Sequence, residues 1–281
     1  MKYTVQKRFP VLALSVLVLG ACAVHAAAAT GKATTQSLGA EQSRARDALE
    51  IQNLMSRRAF YHSVGQNEKE LALWSQKQTV HWAQNQGCWV GMASHAHSYD
   101  ELNRKVQAAD LERLSKLNPA IKNVPESRFV GNTVLHLLTT PILEIAQDGK
   151  SAKGMWYTPG MILTTADGKT PVAMDIWERY GVDFVREDGR WRFLNIQVNT
   201  DFINPMGEPL KPQGPDAAAM GTEGGAQFGP DAVGIKFPGP DIVKATYREF
   251  GATRVPSLTP RLPEPYRTLS ETFRYADCES Q

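Results

Sequence analysis

Cysteine is scarce: 281 residues hold three, Cys22, Cys88 and Cys278. That excludes a disulfide-framed miniature scaffold and a cysteine-rich zinc site. Neither charge sign dominates, with 31 Lys and Arg against 29 Asp and Glu. The basic residues are scattered, so no footprint for nucleic acid appears. A dinucleotide fingerprint, a phosphate loop, a serine nucleophile elbow and an HExxH pair are all missing. No cofactor is therefore expected. Internal repeats are missing as well. Only one long apolar run stands out, from Val11 to Leu19, and it is too short to remain as a membrane span.

That run follows Lys2, Lys7 and Arg8 and precedes small residues, which is the pattern of a secretory signal peptide over residues 1–29. Two cleavage sites compete. Leu19-Gly20-Ala21-Cys22 has the form of a bacterial lipobox, which would leave a lipid on Cys22; a cut in the Ala26 to Ala29 run would discard that cysteine. Both readings export the chain from a bacterial cytoplasm, to a periplasmic or lipid-anchored state. A lipid on Cys22 would be its one tie to a membrane. In an oxidising compartment Cys88 and Cys278 are permitted to pair, although two separate thiols are the expectation.

Residues 30–39 are small and polar and read as a disordered linker. From Ala40 to about Val64 a helix is expected, with Ala48, Ile51, Met55 and Phe60 on its apolar face and Leu49 and Leu54 beside them. Asn67 and Glu70 form a cap-like pair opening a short helix, and Thr79 to Gly91 reads as a hairpin. Ser98 and Glu101 suggest a capping box for a helix reaching Leu117, stopped by Asn118-Pro119. Between 131 and 202 lie long apolar runs closed by Asp148-Gly149, Asp167-Gly168 and Asp188-Gly189. Such dipeptides favour tight turns, so about four antiparallel strands are expected. The order of elements gives an α+β fold with helices on one face of a sheet. Residues 204–281 are rich in proline and glycine, with one short helix expected from Ile242 to Phe250. Tyr266, Phe273 and Tyr275 call for burial against the domain or a partner subunit.

EIQNLMSRRAFYHSVGQNEKELALW, WAQNQGCWVG, HLLTTPILEIAQDGKSAKGMWY and ERYGVDFVREDGRWRFLNIQV together resemble the SnoaL-like domains of the nuclear transport factor 2-like superfamily, over residues 40–203. The resemblance implies a cone-shaped domain, a strongly bent antiparallel sheet wrapped around helices, and a homodimer. It also implies cofactor-free lyase or isomerase chemistry on a small apolar, hydroxylated, aromatic-type molecule. Some members are non-catalytic binding or scaffolding modules, which is the alternative here.

His136 stands among Val134, Leu135, Leu137 and Leu138. It matches the strand histidine that similar catalytic members use as acid/base, a role suited to an imidazole. Tyr61 matches a tyrosine that polarises a carbonyl or hydroxyl. The acidic residue expected just after that helix is replaced by Gly65, Gln66 and Asn67. Candidate pocket residues are Trp89, Trp156, Tyr157, Arg179, Asn195, Gln197 and Asn199, each with a core, ion-pair or interface role as its alternative. The three amides alternate on one face of the last strand. His95 and His97, near His81 and Asp100, lack the spacing of a metal site, and no metal is expected.

Overall fold

The computed structural model describes residues 31–121, 129–210, 234–235 and 238–279. The expected signal peptide and Cys22 lie outside the described residues. The chain divides into a leading unit, Met1–Ala40, and a main unit, Glu41–Gln281; the sheet and the site belong to the second. Helix α1 spans Gly31–Ser63, so the expected linker is helical from Gly31 on. In the main unit its buried stripe runs through Ile51, Leu54, Met55, Arg58 and His62, the three-to-four spacing of a helix face. Phe60, assigned to that face from sequence, is instead 65% exposed, because it lies two residues from both Arg58 and His62.

Five strands rather than four make up the meander. β3 (Thr133–His136) and β4 (Thr139–Ile145) both pair with β5 (Ser151–Thr165), separated by Leu137 and Leu138. Next come β6 (Pro171–Glu187) and β7 (Arg190–Pro205), antiparallel throughout. The turns fall at the three Asp-Gly pairs, whose glycines take φ of +67°, +68° and +77°, angles that cost glycine nothing. The hairpin β1 (His81–Gln84) and β2 (Gly87–Val90) adds to the far side, β1 running parallel to β7. The result is an α+β unit with a curved mixed sheet.

Asn67 and Glu70 sit in α2 (Asn67–Leu71) but form no side-chain cap; both are buried and bonded elsewhere. The expected start of a helix at Ser98 is also overturned. α3 (Gly91–Ala96) passes through a π-helical turn, His97–Leu102, directly into α4 (Asn103–Leu117), so nothing needs capping there.

Alternation on β5 to β7 gives the sheet two unlike faces. The inner face carries Trp156, Tyr180, Val182, Phe184, Phe193, Ile196 and Val198 against Ile51, Leu54 and Met55 of α1. On the outer face the Lys153 ammonium bonds the Asp183 carboxylate at 2.5 Å with both side chains fully buried. The C-terminal segment covers that pair. Lys153 lies 4.3 Å from the Phe273 ring and 5.2 Å from that of Tyr275, and the Tyr275 amide donates to Asp183 at 2.8 Å. A Cβ on Gly181 would run into the Tyr275 ring. Burial lowers the pKa of Lys153 and raises that of Asp183, each opposed by the partner's charge.

Two expectations for this segment are corrected. Residues 242–250 form no helix: β8 (Ile242–Val243) pairs with β2, and the amides of Lys244 and Thr246 donate to Gln86 and Asn85. Cys88 and Cys278 are not separate thiols but a disulfide, Cα to Cα 6.1 Å, inside the usual bridging range. The strand pairing and the tyrosine anchors bring the two sulfurs together.

Removing one partner of a fully buried ion pair strands the other charge, at about 3–5 kcal/mol. Asp183→Ala should therefore lose about that much in urea unfolding. The paired change Lys153→Met with Asp183→Leu should recover most of it.

Candidate active site

The inner face holds a buried polar chain at the end of α1. Arg58 and His62, one helical turn apart, point the same way. Arg58 Nε meets Glu70 Oε1 at 2.8 Å, and its guanidinium lies over the rings of Trp82 and Tyr180 at 5.2 and 5.1 Å. Charge pairing and cation–π contact compensate a side chain that is 1% exposed. The Tyr99 hydroxyl donates to Glu70 Oε2. Its oxygen then accepts from His62 Nδ1–H at 2.9 Å, which assigns the His62 tautomer. Tyr99 comes from the π-helical turn, and Asn67 holds that turn by donating to the Tyr99 carbonyl at 2.6 Å. Wider turns of this kind frequently mark functional sites.

His136 faces His62 across 5.1 Å between ring centroids, with 28° between the planes. Its Nδ1 lies 3.5 Å from Glu178 Oε2, an ion-pair distance that is long for a hydrogen bond. Glu178 is fixed in turn by Tyr180 Oη at 2.9 Å and by Thr200 Oγ1 at 2.9 Å. Two imidazoles thus stand face to face, each backed by a carboxylate, His62 through Tyr99 and His136 directly. Thr158, opposite Glu178 in the β5–β6 register, is wholly buried with no partner for its hydroxyl among the described residues.

Burial holds the His62 pKa well below the usual imidazole value, and the charges of His136 and Arg58 lower it further. His136 is also lowered, mainly by burial and then by Arg58, with Glu178 pulling the other way. Both rings are therefore neutral near pH 7, and mutual repulsion disfavours a doubly protonated pair. Burial raises Glu70, against the Arg58 charge and the Tyr99 hydroxyl.

Of the residues singled out from sequence, His136 lies in this cluster. Tyr61 does not: it is half-buried beside Phe60, edge-on at 6.3 Å, and its neighbour His62 takes the inner position. Trp89 and Trp156 are packed in the inner core. Tyr157, Arg179, Asn195, Gln197 and Asn199 all belong to the outer face. There Asn195 donates to Asp183 at 2.8 Å and Gln197 to Asn199 at 3.0 Å. Arg179 pairs with Asp201 at 3.0 Å. His95 is buried between Trp74 and Trp82, 4.6 and 5.2 Å between centroids, whereas His97 is exposed and bonds Glu101 at 3.0 Å. Among the described residues no group of three His, Cys, Asp or Glu converges on a point where a metal ion would sit.

Sequence reasoning missed Arg58, His62, Glu70, Tyr99 and Glu178. A signal for two of them was present: Arg58 and His62 interrupt an otherwise apolar stripe at helical spacing, and polar groups buried on such a stripe need partners. Glu70 has the spacing of a cap with Asn67, which masks its pairing with Arg58.

The family model for the SnoaL-like domain matches residues 43–197, more than half of the chain. The protein belongs to the SnoaL-like family. Among curated proteins none matches it. Solved structures similar to it include a protein provisionally described as a scytalone dehydratase from Novosphingobium aromaticivorans, 12% identical, covering 60% of this chain and 99% of its own, TM-score 0.42. A hexachlorocyclohexane dehydrochlorinase, LinA type 2, is 15% identical over 62% of this chain and 99% of its own, TM-score 0.40. A provisionally described dehydratase from Streptomyces avermitilis is 10% identical over 55% and 96%, TM-score 0.42. In this SnoaL-like chain the carboxylates of the site come from α2 and β6, not from the residues directly after α1.

Three buried imidazoles shape the pH response. His62, His95 and His136 all have folded pKa values below the usual 6.5, His95 at about 3 through burial and then the Arg58 charge. Their neutral forms suit the fold, so the stability they contribute is complete above the unfolded pKa and is lost as pH falls below it. For His95 the loss continues down to about pH 3, at up to about 1.4 kcal/mol per pH unit for each ring. Glu70 and Asp183, raised in the fold, oppose this trend, so the difference against a variant isolates the histidine. Urea midpoints of wild type and His95→Phe, followed from pH 7 to pH 4, should converge as pH falls, the variant losing stability by about one proton less.

Proposed function

We propose that the protein is a cofactor-free lyase or isomerase acting on a small, apolar, hydroxylated molecule, with His136 as the acid/base. The observation that carries this reading is the His62–His136 pair, two neutral imidazoles 5.1 Å apart in a buried site, each with a carboxylate behind it.

The Glu178 carboxylate, 3.5 Å from Nδ1, favours the tautomer with its proton on Nδ1, which leaves the Nε2 lone pair of His136 as the base. Taking a proton from carbon makes an imidazolium, which the Glu178 carboxylate stabilises. Tyr180 and Thr200 keep Glu178 in place for that moment. Burial and the nearby Arg58 charge, which keep His136 neutral at rest, then favour giving the proton up again. Returned to another carbon, it completes an isomerisation; delivered to a departing hydroxide, it completes an elimination as water. The Arg58–Glu70–Tyr99 chain fixes the His62 tautomer and with it the polar wall facing His136. Export through the residue 1–29 leader and pairing as a homodimer belong to the same proposal.

Wild type and His136→Ala are to be incubated with hydroxylated aromatic compounds and products weighed for loss of water, loss of formaldehyde or an isomer of equal mass. The substitution should cut kcat/KM by about a hundred- to ten-thousand-fold, as for loss of a positioned acid–base group. Because the base form of His136 persists below pH 6.5, the acid limb of kcat/KM should fall below that pH. Glu178→Gln removes the charge that raises His136, so it should move the limb to still lower pH. Saturable ligand binding with no product from any compound would instead identify a binding module.

A further inference from the structure

The outer face of the sheet carries a separate cleft of about 400 Å³, between the far parts of β6 and β7 and the segment 248–257. Its volume lies in the range of small-molecule sites. Apolar walls come from Trp177, Phe250 and Val255, which are 38%, 53% and 91% exposed. Exposed apolar side chains gathered around one concave surface are a mark of a ligand-binding groove.

The charges in the cleft are unequal. Three arginines, Arg179, Arg248 and Arg254, face two carboxylates, Asp201 and Glu249. Arg179 is fully engaged: its Nε and Nη2 reach Asp201 Oδ2 at 3.1 and 3.0 Å, and its Nη1 donates to the Ser257 carbonyl at 2.6 Å. Its guanidinium also lies between the Tyr157 and Tyr247 rings, 5.6 and 5.8 Å from their centroids. This side chain is the floor of the cleft and ties the segment to the sheet. Arg254 donates to the Glu249 carbonyl at 3.1 Å and lies 4.0 Å from its carboxylate, so it is oriented and largely balanced. Arg248 is exposed and makes no ion pair among the described residues. One positive charge is left over beside an aromatic wall.

We propose that this cleft binds a small aromatic monocarboxylate, its ring against Trp177 and Phe250 and its carboxylate on Arg248, with Arg254 as second donor. Planar guanidinium suits a carboxylate through paired N–H donors, and the ring supplies the apolar area. The site is independent of the inner histidines. Trp177 and Arg179 flank Glu178 in the chain but line the outer cleft, whereas Glu178 bonds Tyr180 and Thr200 on the inner side.

The test uses three naphthalenes of one shape: naphthalene-2-carboxylate, 2-(hydroxymethyl)naphthalene and 2-(aminomethyl)naphthalene. Each is titrated calorimetrically into the full chain, its Arg248→Gln and Trp177→Ala variants, and His136→Ala. The carboxylate should bind saturably and at least about tenfold tighter than the alcohol, with the ammonium weakest, the ratio expected for one added charge contact. Arg248→Gln should remove that preference, Trp177→Ala should weaken the carboxylate, and His136→Ala should leave the carboxylate's affinity unchanged. Equal affinity for the three probes, no saturable heat, or carboxylate binding that survives Arg248→Gln would each overturn the proposal. Loss of carboxylate binding in His136→Ala would also overturn it, because the carboxylate would then be reporting the inner site.

Discussion

A sheet buried on both faces needs two kinds of cover, and most of this structure follows from that. Strands β5, β6 and β7 present apolar side chains to α1 on one side and charged and amide side chains to the C-terminal segment on the other. The inner face is held by area removed from water, at roughly 25 cal/mol per Å². Apolar burial cannot hold the outer face in the same way. There Lys153 and Asp183 must neutralise each other, and the aromatic tail must exclude water from them. The disulfide to Cys278 keeps that cover in register with the β1–β2 hairpin.

The same alternation separates the two sites. On β6 Glu178 points to the histidine pair while Arg179, the next residue, bonds the tail. Charge in the inner site is tolerated because it is chained: Arg58 to Glu70, Glu70 to Tyr99, Tyr99 to His62. Each link satisfies a group whose burial alone would cost several kcal/mol. Such chains fix tautomers as well as positions, and the proposed acid–base role would need both.

Much of the fold was legible because its signals are local. The Asp-Gly turns, the period-two strands and the Thr79–Gly91 hairpin require only neighbouring residues to be recognised. His136 was legible for a related reason: an imidazole in a leucine-rich strand stands out against its immediate background. Failures occurred where local signals had a second use. Asn67 and Glu70 have the spacing of a cap, yet Asn67 bonds the Tyr99 carbonyl and Glu70 pairs with Arg58. Ser98 and Glu101 have the spacing of a capping box, but the helix before them continues.

By itself the sequence determined the strand period, the turn positions and the candidacy of His136, since each depends on residues a few positions apart, and the family, through blocks spread over residues 43–197. Only the tertiary structure decided which face of each strand is inner, because alternation defines two faces without orienting them. It also decided that His62 rather than Tyr61 meets His136, a matter of about 100° around one helix. Glu178, Tyr99 and Glu70 reach the site from three separate elements, and Cys278 meets Cys88 across 190 residues. Contacts of that range are set by packing, which no local pattern encodes.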